Sequence, residues 1–76
     1  MEEYLIKKIE AIAFTKIKAD EQLWASGILD SINIIELAVE LENELKIQIP
    51  FDEIIIENFQ TIASLAEYVR KKQQND

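Results

Sequence analysis

The sequence predicts an all-α domain, a small four-helix bundle with a short third helix, on three observations. Apolar residues recur at helical spacing in three separate segments. Strict apolar–polar alternation, the mark of a half-buried strand, is confined to "KIQIP" at 46–50 and is too short to build a sheet. A single glycine, Gly27, and a single proline, Pro50, punctuate the chain, which favours helices joined by a few irregular connections. At 76 residues the chain is expected to form one domain over 1–76. A domain this small buries only about 60% of the surface its unfolded chain exposes, which leaves one core and little room for a deep cleft.

The first helix is expected over about 2–16. Leu5, Ile9, Ile12 and Lys16 keep the spacing, Ile6 and Ala13 widen the stripe, and Glu2 and Glu3 suit the positive end of the helix dipole. From Lys18 to Leu29 the period is lost, yet Leu23, Trp24, Ile28 and Leu29 are too apolar for a free linker, so this loop should fold back onto the core. The second helix is expected over about 31–45. Pro50 then forces an extended approach to a short helical segment near 52–57. Thr61 is the expected N-cap of the last helix, whose Ile62, Leu65, Ala66 and Val69 fall at i, i+3, i+4 and i+7. Order is expected to about residue 72, with 73–76 a frayed polar tail.

Composition narrows the chemistry. Apolar residues at 49% and charged residues at 30% belong to a globular chain rather than a disordered one. Cysteine and histidine are both absent, which removes disulfides, thiolate zinc sites and the usual partners of a catalytic serine or cysteine. No apolar run reaches membrane-spanning length and no signal-peptide pattern opens the chain, so a soluble cytoplasmic protein without membrane insertion is expected. The net charge of −7 is concentrated in the middle: Asp30, Glu36, Glu40, Glu42, Glu44, Asp52, Glu53 and Glu57 face only Lys46 between residues 30 and 57. Such a field repels nucleic acid and attracts basic partners. Glu36, Glu40 and Glu44, at i, i+4 spacing, would hold a cation only loosely, and no metal site is expected.

"GILDSINIIELAVELENEL" at 27–45 is the informative stretch. On a helical wheel Ile34, Leu37, Ala38, Leu41 and Leu45 form one arc, facing the core. Ile32, Ile35 and Val39 fall on nearly the opposite side, bordered by Glu36, Glu42 and Asn43. Acids beside this second stripe cannot be buried without bases to pair them, so the stripe is expected at the surface as a docking patch. Cover by another helix or by the Trp24 loop is the alternative. Asp30 and Ser31 stand at the mouth of the helix, where either residue can serve as a cap. The same position would suit a phosphate ester on Ser31, because helix N-termini offer N–H groups and a favourable dipole. With no histidine to take its proton, Ser31 is an attachment point or a cap and not a catalyst, and no catalytic residue is expected.

The Asp30-Ser31-Ile32 triplet with its two-striped acidic helix, the "IQIP" exit and "TIASLAEYV" resemble the acyl carrier protein family, which includes peptidyl and D-alanyl carriers; the likeness covers about residues 1–72. The resemblance implies a discrete acyl or aminoacyl carrier. A phosphopantetheinyl transferase would attach 4′-phosphopantetheine to Ser31, and the thiol of that arm would carry thioesters between the enzymes of a dedicated pathway. It implies further that Asp30, Ile32, Ile35, Glu36, Val39 and Glu42 meet the partners. These would be the transferase, a loading ligase, and downstream transferases or synthases with basic docking surfaces, the carrier itself being a monomer. Asn33 stands where fatty-acid carriers usually place an acid, and "GILDS" looks more like the turn of dedicated-pathway carriers, D-alanyl carriers among them. The competing class is an unmodified helical interaction module using the same acidic-apolar face.

Overall fold

The computed structural model describes residues 1–75. Four α-helices follow in order: α1 (Glu2–Ala13), α2 (Asn33–Leu45), α3 (Ile56–Phe59) and α4 (Ile62–Asn75), with a 3-10 turn at Phe51–Glu53. No strand occurs among the described residues. Helix α1 packs on both α2 and α4, and α3 packs on α4. The core comes from all four α-helices and the 18–29 loop: Leu5, Ile9, Leu23, Leu37, Leu41, Phe59, Ile62, Leu65 and Val69 are fully buried. Each such side chain contributes about 1.5–3 kcal/mol on leaving water.

Two helix ends differ from the sequence expectation. α1 stops at Ala13, three residues short, because Phe14 enters the left-handed region (φ 57°, ψ 41°). Lys46 does the same after α2 (φ 58°, ψ 45°). In both cases the chain then leaves regular structure and a glutamate reaches forward to meet it. Glu10 Oε2 accepts the N–H of Ile17 at 2.9 Å, and Glu42 Oε2 accepts that of Ile49 at 2.8 Å. Ile17, Ile47 and Ile49 are thereby turned into the core.

The short helical segment expected near 52–57 is split in two. Ile54 (φ −84°, ψ 79°) and the extended Ile55 interrupt it, so that Ile54 packs against the core while Ile55 and Ile56 stay exposed. Asn58 Nδ2 donates to the carbonyl of Glu53 at 2.8 Å and takes up the acceptor left by the break. Thr61 caps α4 as expected, its Oγ1 accepting the N–H of Ser64 at 3.1 Å. The tail expected to fray from 73 continues as helix to Asn75, and residue 76 lies outside the described residues. The 18–29 loop does fold onto the core, with Leu23 and Leu29 buried and the Leu23 N–H bonded to the carbonyl of Gln60 at 2.8 Å.

Candidate functional site

The site begins with a turn that only glycine makes cheaply. Gly27 has φ +85°, and its N–H donates to the Trp24 carbonyl at 3.2 Å. The Leu29 N–H returns to the Leu23 carbonyl at 3.0 Å, and Asn33 Nδ2 donates to the Ile28 carbonyl at 3.1 Å. Asn33 therefore fastens the turn to the helix it precedes, a role that an acid at this position would not fill. Asp30 then organises the first turn of α2. Its Oδ1 accepts the N–H groups of Ile32 at 2.9 Å and Asn33 at 2.7 Å, and its carbonyl accepts that of Ile34 at 3.0 Å. Of the two candidate caps Asp30 is the cap. The Ser31 residue is exposed, and none of the side-chain hydrogen bonds among the described residues involves its hydroxyl. The amides expected to await a phosphate at Ile32, Asn33 and Ile34 are already taken by Asp30, so the helix start offers Ser31 its dipole rather than those N–H groups.

Ser31 and Asp30 stand at the rim of an apolar cleft of about 330 Å³, walled by Trp24 and Leu29 of the loop, Ile34 and Ile35 of α2, and Phe51 and Ile54. Behind it runs the second stripe of α2, with Ile32 75% exposed, Ile35 41% and Val39 48%. Among the described residues, no helix and no part of the Trp24 loop closes the stripe off from solvent. Phe51, at 80%, Ile55 and Ile56 extend this apolar surface across to the 3-10 turn and α3. Sequence reasoning did not place these three at the site. The available signal was "IPF" followed by three consecutive isoleucines, which no single helix face can bury together.

Residues 5–69 match the family described as the phosphopantetheine attachment site. The D-alanyl carrier protein of Streptococcus uberis is 41% identical over 54 residues, covering 71% of this chain and 68% of the relative. Those of Streptococcus pyogenes serotypes M5 and M49 are 35% identical with the same coverage. The chain belongs to the phosphopantetheine-bearing carrier protein family. It is a carrier with a covalent phosphopantetheine arm, modified by another enzyme and not itself an enzyme. No described helix is long and apolar enough to cross a membrane.

The acidic field of the carrier is narrower than its charge count. Lys8 of α1 pairs with Glu40 at 3.1 Å and with Glu44, which also accepts the Tyr4 hydroxyl. Glu53 accepts the Tyr68 hydroxyl at 2.6 Å and Lys72 Nζ at 3.2 Å. These donors hold the Glu44 and Glu53 carboxyls below the usual carboxylate range. Burial, and then the Glu44 bond, push Tyr4 up to about 12. Asp30 is used as a cap and Glu42 as the acceptor for Ile49. Of the eight central acids, Glu36, Asp52 and Glu57 alone have no ion pair or side-chain hydrogen bond among the described residues. Glu42, expected as a partner-facing carboxylate, is half-buried and turned toward the backbone of Ile49.

Proposed function

We propose that Ser31 carries the phosphopantetheine arm and that the chain moves a small aminoacyl thioester, with D-alanine the leading candidate cargo. The observation that supports the first part is the Ser31 hydroxyl itself: exposed, without a partner among the described residues, and at the mouth of a cleft that an arm can enter. When bound, the arm supplies a thiol to a chain that has no cysteine. The residues around it divide the remaining work. Asp30 fixes the helix start so that the hydroxyl faces outward, the α2 dipole favours the phosphodiester charge, and Trp24, Ile35 and Phe51 offer apolar surface along the cleft. A cleft of about 330 Å³ lies at the small end of ligand sites, which suits a short cargo better than a long acyl chain. The names of the streptococcal relatives support D-alanine.

Asp30, Ile32, Ile35, Glu36 and Val39 form the face offered to a phosphopantetheinyl transferase, a loading ligase and an acceptor enzyme, with Phe51 and Ile56 extending it. Glu42 belongs to this face by position, but its carboxylate serves the fold. A cytoplasmic site of action fits partners that consume coenzyme A and nucleotide. The unmodified interaction module has less support, because the family match is to an attachment site.

Intact mass after incubation with coenzyme A and a broad-specificity phosphopantetheinyl transferase tests the assignment. The parent should gain one phosphopantetheine and Ser31→Ala none. Gain on the alanine variant would overturn it. Incubation of the loaded protein with ATP, a D-alanine-activating ligase and either D-alanine or a long-chain fatty acid tests the cargo, and D-alanyl mass should appear alone.

A further inference from the structure

We propose that Glu53 is a positioning residue for the arm: through Tyr68 and Lys72 of α4 it fixes the Phe51–Ile54 wall of the cleft that opens at Ser31. The proposal rests on Ser31 as the attachment point. Phe51 and Ile54 flank Glu53 in the chain and form one side of the cleft. Burial holds that side only weakly. No residue of the 3-10 turn is buried, Phe51 is 80% exposed, and Ile54 is only partly buried against the core. A single 3-10 turn has little stability of its own.

Polar bonds supply the missing restraint, and they converge on Glu53. Its Oε1 accepts the Tyr68 hydroxyl at 2.6 Å and Lys72 Nζ at 3.2 Å, its carbonyl accepts Asn58 Nδ2 at 2.8 Å, and its N–H donates to the Pro50 carbonyl at 2.9 Å. The two bonds to the carboxylate are charge-assisted and are the stronger ones. Tyr68 offers its hydroxyl from a fixed base, since its ring is buried and packs on Phe59 with centroids 5.8 Å apart. The wall is thus an exposed apolar strap joined to the rigid α4 by one carboxylate. How long the strap stays in place decides how long an arm in the cleft is sheltered.

Tyr68→Phe is the informative variant, because it removes the hydroxyl and keeps the packed ring. Two readouts are available. In the unloaded protein, Trp24, the single tryptophan, lines the same cleft, and the Ile54 N–H closes the 3-10 turn onto Phe51 at 3.1 Å. Tyr68→Phe and Glu53→Ala should shift Trp24 emission and speed amide exchange at Ile54, and the double variant should do no more than Glu53→Ala alone, which already removes the Tyr68 and Lys72 bonds together. In the loaded protein the arm holds the sole thiol, so its rate with a small maleimide reads the arm directly. That rate should rise several-fold in both variants. Lys8→Met, which breaks the separate α1–α2 network, should lower the urea midpoint and leave the thiol rate unchanged. A parent-like thiol rate in Tyr68→Phe, or an equal rise in Lys8→Met, would overturn the proposal. Absence of any mass gain on the parent would instead overturn the Ser31 assignment, and the intact mass tells the two failures apart.

Discussion

The carboxylate of Glu42 accepts the backbone N–H of Ile49 at 2.8 Å, seven residues on and past a left-handed Lys46. Glu10 meets Ile17 at 2.9 Å across the same spacing, past a left-handed Phe14. A helix that ends in a left-handed residue sends the chain back across its last turn. An inward-facing amide there, that of Ile17 or Ile49, has no regular partner, and an acid four residues before the left-handed position reaches it. The two exits of the bundle solve one problem with the same construction.

Glu42→Ala should therefore lower unfolding free energy by about 1–2 kcal/mol, the cost of leaving a half-buried amide unbonded. Glu36→Ala should change it by less than about 0.5 kcal/mol, as expected of an exposed residue without partners. Urea denaturation of the two variants separates them. A neutral Glu42→Ala would return that carboxylate to the docking surface.

Glu36→Lys is the clean test of docking. It should slow arm transfer from coenzyme A, mostly in the association step, and the deficit should shrink as ionic strength rises. Rates measured at low and high salt decide it. An unchanged rate at low salt would make Glu36 a solvated acid only.

Asp30→Ala should cost about 0.5–2 kcal/mol, since Asp30 caps the Ile32 and Asn33 amides. Ser31→Ala should cost less than about 0.5 kcal/mol, because its exposed hydroxyl has no hydrogen-bond partner among the described residues. Chemical denaturation of the unloaded proteins gives both values, and a Ser31→Ala loss as large as that of Asp30→Ala would make the serine structural.

The helix that matters was legible because its apolar positions obey two separate arcs and its acids forbid burying the second. The cleft was not, for a physical reason. Its far wall depends on where "PFDEIII" breaks its helix, and that break is fixed by side-chain bonds, a local one from Asn58 and a tertiary one from Tyr68 to Glu53, rather than by apolar spacing. Phe14 and Lys46 were also illegible as helix ends, since neither is the glycine or asparagine that usually marks a left-handed stop. Charge counting overstated the acidic field, because a sequence does not show that Lys8 and Lys72, from outside the segment, pair with Glu40, Glu44 and Glu53.

Phe14 stands at φ 57° with 93% of its surface exposed, so it carries backbone strain that packing does not offset. Phe14→Gly should raise stability by about 1 kcal/mol and the melting temperature by about 4–8 °C for a domain of this size. A lower melting temperature would show that the ring contributes packing that its exposure conceals.

Acid and alkali should act on different bonds. Glu44 and Glu53 have folded pKa values below their ordinary 4.5, so the stability they contribute is complete above that value and is lost as pH falls through the lowered ones. Tyr4 and Tyr68 are raised above 10.0, by burial first and then by their glutamate partners, so their contribution is complete below pH 10 and is lost only on passing the raised values. Phenolate absorbance should therefore stay silent through pH 10 in the folded chain, Tyr4 ionising near 12 or both tyrosines together on unfolding. In Glu44→Gln the Tyr4 transition should move down toward its ordinary value while Tyr68 keeps its own, because burial remains in both and only one acceptor charge has been removed. A normal transition near pH 10 in the parent would show that neither hydroxyl is held by its glutamate.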